Sequence, residues 1–222
     1  MSDERPNIGN EWDGKDPKDM NFSEWLAWKT GGWLDLPNVA SASGLAMSGL
    51  GIYYFARGRH AEGTALFLGG RGMDVVDGPL AKLMHLRGKV GGYLDATFDK
   101  VALTAALVTL TYTGDMPPLA TAGALVTQAG IAIENMRIHE AGGKATPNWQ
   151  GKLTAFALSG AGISYMSATT AESMNRPVLA GALRVAGHIA MGASIASGGA
   201  AWHEYHNNAT ALNLQAESLV SE

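Results

Sequence analysis

Four long stretches of this 222-residue chain contain no Asp, Glu, Lys or Arg, and they limit the possible folds more than any other feature. The stretches are residues 39–56, 116–133, 153–171 and 185–202. Each is about as long as a helix that crosses a bilayer, roughly 20 residues. A water-soluble helix of that length would normally carry a charged face. The pattern therefore favours a membrane protein with several spans.

The composition excludes some classes of function but leaves the environment of the helices open. A hydrophobic content of 46% is ordinary for a soluble protein, so an Ala-rich soluble bundle is the alternative. The 29 glycines favour closely packed membrane helices. The chain has no cysteine, which excludes disulfides, thiolate catalysis and Cys-ligated metals. A net charge of −4, with no basic stretch between aromatic residues, predicts no nucleic-acid partner.

The sequence predicts an all-α, polytopic membrane protein with six transmembrane helices. A polar segment, 1–20, precedes an amphipathic interfacial helix at 21–38, in which three tryptophans lie among polar residues. A helix that caps a soluble bundle is the alternative for 21–38. A six-helix transmembrane domain is predicted for 39–202, and the tail 203–222 is expected to be loosely ordered from about 207. The six spans are predicted at 39–57, 61–84, 92–112, 117–138, 152–171 and 177–202.

The cationic residues between these spans predict the orientation of the chain. Ten lie on the side of the N-terminus and three on the other side. Because Lys and Arg concentrate in cytoplasmic loops, the N-terminus and the loops 82–90 and 137–152 are predicted to be cytoplasmic. The ten are Arg5, Lys15, Lys18, Lys29, Lys82, Arg87, Lys89, Arg137, Lys144 and Lys152, and the three are Arg57, Arg59 and Arg176.

Four aspartates fall within the second and third predicted spans. On a helix, with about 100° per residue, Asp74 and Asp77 lie about 60° apart on one face. Asp95 and Asp99 are one turn apart and form a second acidic stripe. The loop 82–90 is short, so the two helices are predicted to be antiparallel neighbours whose stripes lie near its cytoplasmic end.

Carboxylates that face one another in a partly dehydrated site repel, and a cation or protonation must relieve the repulsion. Oxygen ligands without His or Cys suit Mg²⁺, Mn²⁺ or Ca²⁺. The spacing differs from that of an EF-hand loop. The alternative is that the aspartates are solvated or are paired with nearby cations, which are Arg71, Lys82, Arg87, Lys89 and Lys100.

The segment 72–100, GMDVVDGPLAKLMHLRGKVGGYLDATFDK, resembles the motif of the CDP-alcohol phosphotransferases, D-x2-D-G-x2-A-R-x8-G-x3-D-x3-D. The only departure is Lys82, where the family has Arg. The motif residues present are Asp74, Asp77, Gly78, Ala81, Gly91, Asp95 and Asp99. The organisation predicted for this chain also resembles that of the family, whose members have six membrane helices and an N-terminal amphipathic helix. They also have a Pro-Asn before the first span, as at Pro37 and Asn38 here.

The resemblance implies an enzyme that transfers a phosphatidyl group from CDP-diacylglycerol to an acceptor hydroxyl and releases CMP. It implies two Mg²⁺ or Mn²⁺ ions and a homodimer in the cell (inner or cytoplasmic) membrane, with the active site facing the cytoplasm. Asp99 would be the general base and would also touch a metal. The metal ligands would be Asp74, Asp77, Asp95 and Asp99. The CDP donor would contact Asp74, Gly78, Ala81, Lys82 and Gly91.

The acceptor is predicted from a weaker resemblance, to phosphatidylglycerophosphate synthases. Segment 137–155 resembles theirs in Gly143, Lys144, Gly151, Lys152 and Thr154, and Asp99-Lys100 resembles their Asp-Lys pair. Arg137, Lys144 and Lys152 would bind a phosphorylated polar alcohol, with glycerol 3-phosphate as first choice. Phosphatidylglycerol or inositol phosphate remains an alternative acceptor, and simple positive-inside anchoring would also explain these cations. A non-catalytic, cation-binding membrane homologue is a further alternative.

Overall fold

The computed structural model describes residues 16–31, 33–34, 36–83, 89–143 and 148–220, with backbone alone at 17, 37, 74–83, 89–96 and 215–220. All regular structure in these residues is helical, which confirms the predicted all-α class. A short 3₁₀ helix, Pro17–Asp19, precedes the α-helices. Their bounds are Phe22–Thr30 (α1), Leu36–Ala56 (α2), His60–Leu83 (α3), Lys89–Tyr112 (α4), Pro118–Glu140 (α5), Trp149–Ser173 (α6) and Pro177–Val220 (α7).

Helix α1 occupies half of the predicted interfacial segment. It begins at a capping box, in which Asn21 and Glu24 each accept a hydrogen bond from the other's backbone N–H, at 2.9 and 3.0 Å. It ends at Gly31, whose φ of 67° is in the left-handed region that glycine favours. The chain then enters α2 with Pro37 in the first helical turn, where the missing proline N–H costs no intrahelical bond.

The chain forms two compact units, one up to Ala105 and the other from Ala106. In the first unit, α2 packs on α3 through glycines. Gly51 lies so close to α3 that a Cβ there would be 2.6 Å from the Gly63 carbonyl oxygen and from the Phe67 nitrogen. Phe55 and Phe67 are 0% and 1% exposed and fill the space beside this contact. Small residues spaced along a helix permit such close backbone approach.

In the second unit, α6 and α5 both pack on α7. Thr154 on α6 and Ser197 on α7 share a buried hydrogen bond of 2.9 Å. Gly130 on α5 lies against the indole of Trp202, since a Cβ there would be 2.4 Å from the ring. Asp115, in the turn before α5, accepts a 2.6 Å hydrogen bond from Thr169 on α6. These contacts hold three helices together through small or polar side chains.

Helix α7 continues through residues for which the sequence predicts a loosely ordered tail. Tyr205 and Ala209 are 5% and 2% exposed and pack with Ile138 and Ala201 in one buried cluster. The hydroxyl of Tyr205 accepts a hydrogen bond from the Asn148 backbone N–H at 3.2 Å. Packing against α5 and the start of α6 thus extends the helix beyond the apolar stretch that ends at residue 202.

Two of the described helices are long and apolar enough to cross a membrane, within Asn38–Ala56 and Pro177–Leu214. The other predicted spans are helical at nearly the predicted positions but do not meet the same hydropathy criterion. Several large apolar side chains on them face outward. Leu119 on α5 and Phe156 on α6 are 85% and 80% exposed. Such an exterior is characteristic of surfaces that contact lipid or another protein.

Candidate active site

The aspartate motif lies in two helices, as the sequence predicts. Residues 74–82 belong to α3 and residues 91–99 belong to α4, so the angular spacing argued from the sequence applies to the backbone. At seven positions of the aspartate motif the structure describes the backbone alone. They are Asp74, Asp77, Gly78, Ala81, Lys82, Gly91 and Asp95.

Asp99 is the one motif residue whose side chain is described. It forms an ion pair with Arg71, between its Oδ1 and the Arg71 guanidinium. The Asp99 side chain is 36% exposed and that of Arg71 only 16%. This contact joins α3 to α4 and agrees with the prediction that these helices are neighbours. Of the two roles that Arg71 could have, neutralising a carboxylate or binding a substrate phosphate, the contact favours the first.

The four motif aspartates offer carboxylate oxygens, the ligands that hard cations such as Mg²⁺ prefer. Apart from the ion pair with Arg71, the buried Oδ1 of Asp99 has no hydrogen-bond partner. Asp99 therefore retains capacity to accept a proton or a metal–oxygen contact. Among the residues with described side chains, no three His, Asp or Glu are grouped to hold a metal. A metal site at this motif would depend on Asp74, Asp77 and Asp95.

The residues predicted to bind the acceptor belong to the second unit. Arg137, near the end of α5, forms an ion pair with Glu134 at 3.2 Å and is about half exposed. Lys152 is exposed in the first turns of α6, and Lys144 is outside the described residues. Thr154 is fully buried and hydrogen-bonded between α6 and α7, so its role in the structure is packing.

Glu134 is a buried acidic residue that was not among the predicted site residues. It is 4% exposed, and its Oε1 lies 3.0 Å from His206 Nδ1 on α7. The sequence contained a signal for it, because Glu134 follows directly on the charge-free stretch 116–133. An ionisable residue within a predicted membrane span is a candidate functional residue.

A scan against protein-family models matches residues 34–196 to the CDP-alcohol phosphatidyltransferase family. The match covers most of the chain and includes both helices of the aspartate motif. The chain therefore belongs to this family of membrane-embedded enzymes, and it is a transferase of substituted phosphate groups. Members transfer a phosphatidyl group from a CDP-linked alcohol to an acceptor, generally with a divalent metal. Searches of the curated proteins and of the solved structures found no significant match.

Proposed function

We propose that the protein transfers the phosphatidyl group of CDP-diacylglycerol to a hydroxyl of glycerol 3-phosphate, and so acts as a phosphatidylglycerophosphate synthase. The observation that supports this proposal best is the spacing of four aspartates on α3 and α4, within the family match. The choice of acceptor rests on the cationic segment 137–155. Phosphatidylglycerol and inositol phosphate are the alternative acceptors.

The proposed reaction needs a base and a site for the pyrophosphate. Asp99 accepts the proton of the acceptor hydroxyl, whose oxygen forms a bond to the phosphatidyl phosphorus as the bond to CMP breaks. Asp74, Asp77 and Asp95, with Asp99 beside them, would hold two Mg²⁺ or Mn²⁺ ions. When bound, these ions supply positive charge that stabilises the pyrophosphate and the departing CMP. The small residues Gly78, Ala81 and Gly91 leave room for the nucleotide near the backbone.

The membrane topology proposed here is that of the sequence prediction, with six spans and the aspartate motif facing the cytoplasm of the cell membrane. The outward-facing apolar residues of α5 and α6 support spans there, although their Ala-rich and Gly-rich sequences have modest hydropathy. A homodimer is proposed as well, and the exposed apolar surfaces are compatible with it. Arg137, Lys144 and Lys152 would lie on the cytoplasmic side, where a phosphorylated alcohol arrives.

Metal-dependent release of CMP tests this function. We expect purified protein in detergent to release CMP from CDP-diacylglycerol when both Mg²⁺ and glycerol 3-phosphate are present, and to stop when EDTA removes the metal. Excess Mg²⁺ added after EDTA should restore the activity. Parallel reactions with phosphatidylglycerol or inositol phosphate identify the acceptor. If no acceptor supports metal-dependent CMP release, the proposed reaction is wrong.

Lys82 stands where the family motif has arginine, and we expect this difference to affect the kinetics. A lysine keeps the positive charge but loses the planar group that holds a phosphate through two hydrogen bonds. We therefore expect Lys82→Arg to lower the KM for the CDP donor or to raise kcat, by about threefold to tenfold, the range of one added hydrogen bond. Lys18→Arg, at an exposed position in the short 3₁₀ helix before α1, is the control. Unchanged kcat and KM in Lys82→Arg would contradict the expectation.

A further inference from the structure

The part of α7 beyond its apolar stretch contacts both described ends of the segment that carries the predicted acceptor ligands. At the end of α5, a Cβ on Gly143 would lie 2.6 Å from Cδ1 of Leu212. At the start of α6, the Tyr205 hydroxyl and the Glu204 carboxylate both form hydrogen bonds with Asn148. These residues of α7 are not among the predicted site residues. The end of α7 therefore holds the cationic segment in place from a different helix.

Asn148 caps α6, and α7 restrains both its side chain and its backbone. Its side-chain oxygen accepts a hydrogen bond from the Gly151 backbone N–H at 2.8 Å, the usual bond of a helix N-cap. Its side-chain nitrogen donates to Glu204 Oε2 at 2.9 Å, and its backbone N–H donates to the Tyr205 hydroxyl at 3.2 Å. A cap needs only the first of these bonds. The other two fix the conformation of Asn148 from outside α6.

The first turn of α6 links Asn148 to Lys152. The Lys152 backbone N–H donates to the Asn148 carbonyl oxygen at 3.2 Å. Gly151, just before Lys152, lies beside the same contact, since a Cβ there would be 3.0 Å from Asn148 Oδ1 and 3.8 Å from the Tyr205 hydroxyl oxygen. Lys152 itself is exposed, so its ammonium group can reach a ligand. The direction in which this flexible side chain starts depends on how the turn is held.

Tyr205 is a firm support for this turn because its ring is buried. It is 5% exposed and packs in one buried cluster with Ile138, near the end of α5. Arg137, another predicted acceptor ligand, directly precedes Ile138. The ring of Tyr205 thus packs at the end of α5, and its hydroxyl bonds to the start of α6. Two helices that carry predicted ligands are joined through one side chain of α7.

We propose that Tyr205 and Glu204 are positioning residues, which orient Lys152 toward the phosphate of the acceptor. They act through Asn148 and the first turn of α6. The inference rests on the proposed function, because it takes Lys152 as an acceptor ligand. It applies to each of the three acceptors, since glycerol 3-phosphate, inositol phosphate and phosphatidylglycerol all contain a phosphate. In this role neither residue touches the substrate, and its loss raises the KM for the acceptor but not the KM for the donor.

Tyr205→Phe removes the hydroxyl and keeps the buried ring. With the acceptor that supports CMP release, we expect its KM to rise about threefold to tenfold, the range of one lost hydrogen bond. The KM for CDP-diacylglycerol should stay within about twofold. Tyr165→Phe is the matched control, because Tyr165 is also buried and its hydroxyl also joins α6 to α7, through His188 Nδ1 at 2.7 Å. Tyr165 lies about 25 Å further along α6, so its loss should change neither KM.

Substitutions of Glu204 separate positioning from electrostatics by the sign of the effect. Glu204→Ala removes both the hydrogen-bond acceptor of the Asn148 amide and a negative charge. If Glu204 acted only through its charge, this variant would bind an anionic acceptor more tightly and the KM would fall. We expect the KM to rise instead, by about threefold to tenfold. Glu204→Gln removes the same charge but keeps an oxygen that accepts from Asn148, so its KM should equal that of the unmodified protein or lie below it.

Hydrogen–deuterium exchange of the full-length protein in detergent measures the positioning without turnover. We expect the backbone amides of 148–152 to exchange faster in Tyr205→Phe than in Tyr165→Phe, because the Asn148 N–H has lost its partner. Equal exchange in the two variants would overturn the inference, whether or not the protein is active. If Tyr205→Phe fails to fold, Glu204→Ala and Glu204→Gln give the same comparison.

The kinetic results distinguish failure of this inference from failure of the proposed function. An active unmodified protein with an unchanged acceptor KM in Tyr205→Phe and Glu204→Ala would overturn the inference alone. So would a lower KM in Glu204→Ala, or an equal rise in Tyr205→Phe and Tyr165→Phe. If the unmodified protein releases no CMP with any of the three acceptors, the proposed function is wrong and the inference is wrong with it.

Discussion

Substitution of Asp99 by asparagine is expected to lower the rate of CMP release by about 10²- to 10⁴-fold, the range that general acid–base groups contribute. Asparagine has nearly the same shape as aspartate, but its amide cannot take up the acceptor proton. Asp99→Asn also removes the ion pair with Arg71 between α3 and α4, so the melting temperature of the variant is measured beside its activity to separate lost chemistry from lost packing. The measurement is steady-state kinetics with CDP-diacylglycerol and a saturating acceptor.

Glu62→Gln provides the matched control for Asp99→Asn. Like Asp99→Asn, it replaces a carboxylate that forms an ion pair with an arginine. Here the arginine is Arg59, and the pair is exposed in the first turn of α3. An exposed ion pair contributes little to stability, so activity should be unchanged. The KM for the donor should also stay within about twofold in Asp99→Asn if the residue acts mainly on the proton. Full activity of Asp99→Asn would refute the assignment of the base.

The second large effect is expected for Gly51→Ala, which should destabilise the protein by about 1–3 kcal/mol, as overpacking of a well-packed core does. The added Cβ would lie 2.6 Å from the Gly63 carbonyl oxygen and from the Phe67 nitrogen. Both are backbone atoms of α3, so no side-chain rotation can relieve the contact, and the two helices must move apart. Thermal unfolding in detergent, followed by circular dichroism, measures the fall in melting temperature.

Gly49→Ala separates this contact from the general effect of replacing glycine in a helix. Gly49 is on the same helix, and a Cβ there meets no atom within 4 Å. Alanine has a higher helix propensity by up to about 1 kcal/mol, so Gly49→Ala should melt at the same temperature or slightly higher. A Gly51→Ala protein as stable as Gly49→Ala would show that α2 and α3 do not approach as closely as described.

The helices themselves could be predicted from the sequence because their limits have local causes. Pro117 and Pro118 mark the start of α5, and Asn148 caps α6 through its side chain, which accepts a hydrogen bond from Gly151 N–H. The aspartate motif could be placed on two helices because its three- and four-residue spacing puts the aspartates of each segment on one helix face. The described contact between Arg71 and Asp99 agrees with that placement.

The sequence predicts a membrane span that ends at 202 and a loosely ordered tail from about 207, whereas α7 continues as a helix to Val220. Polar residues begin at His203, but Ala201, Tyr205 and Ala209 follow at intervals of four and form one buried face. Hydropathy averaged over a window hides this spacing. The helix depends on tertiary contacts with Ile138 and Asn148, which no local rule contains.

Glu134 shows a different limit of sequence-based prediction. Its position next to an apolar stretch was visible, but its partner His206 is 72 residues away along the chain. The cationic segment predicts acceptor ligands, which stays a prediction; in the structure Arg137 pairs with Glu134, and Thr154 packs between helices. A single sequence carries little information about such long-range pairs. Motif spacing locates a site on a helix, and the partners across helices come from the fold.

Helix α7 is longer than a bilayer is thick. Its 44 residues give a rod of about 66 Å, and the hydrocarbon part of a bilayer is about 30 Å thick. A helix of this length that crosses a bilayer, even when tilted, extends beyond the hydrocarbon part by several turns. In α7 the polar end packs against Ile138 and Asn148, so contacts among the helices of the second unit continue past the apolar stretch.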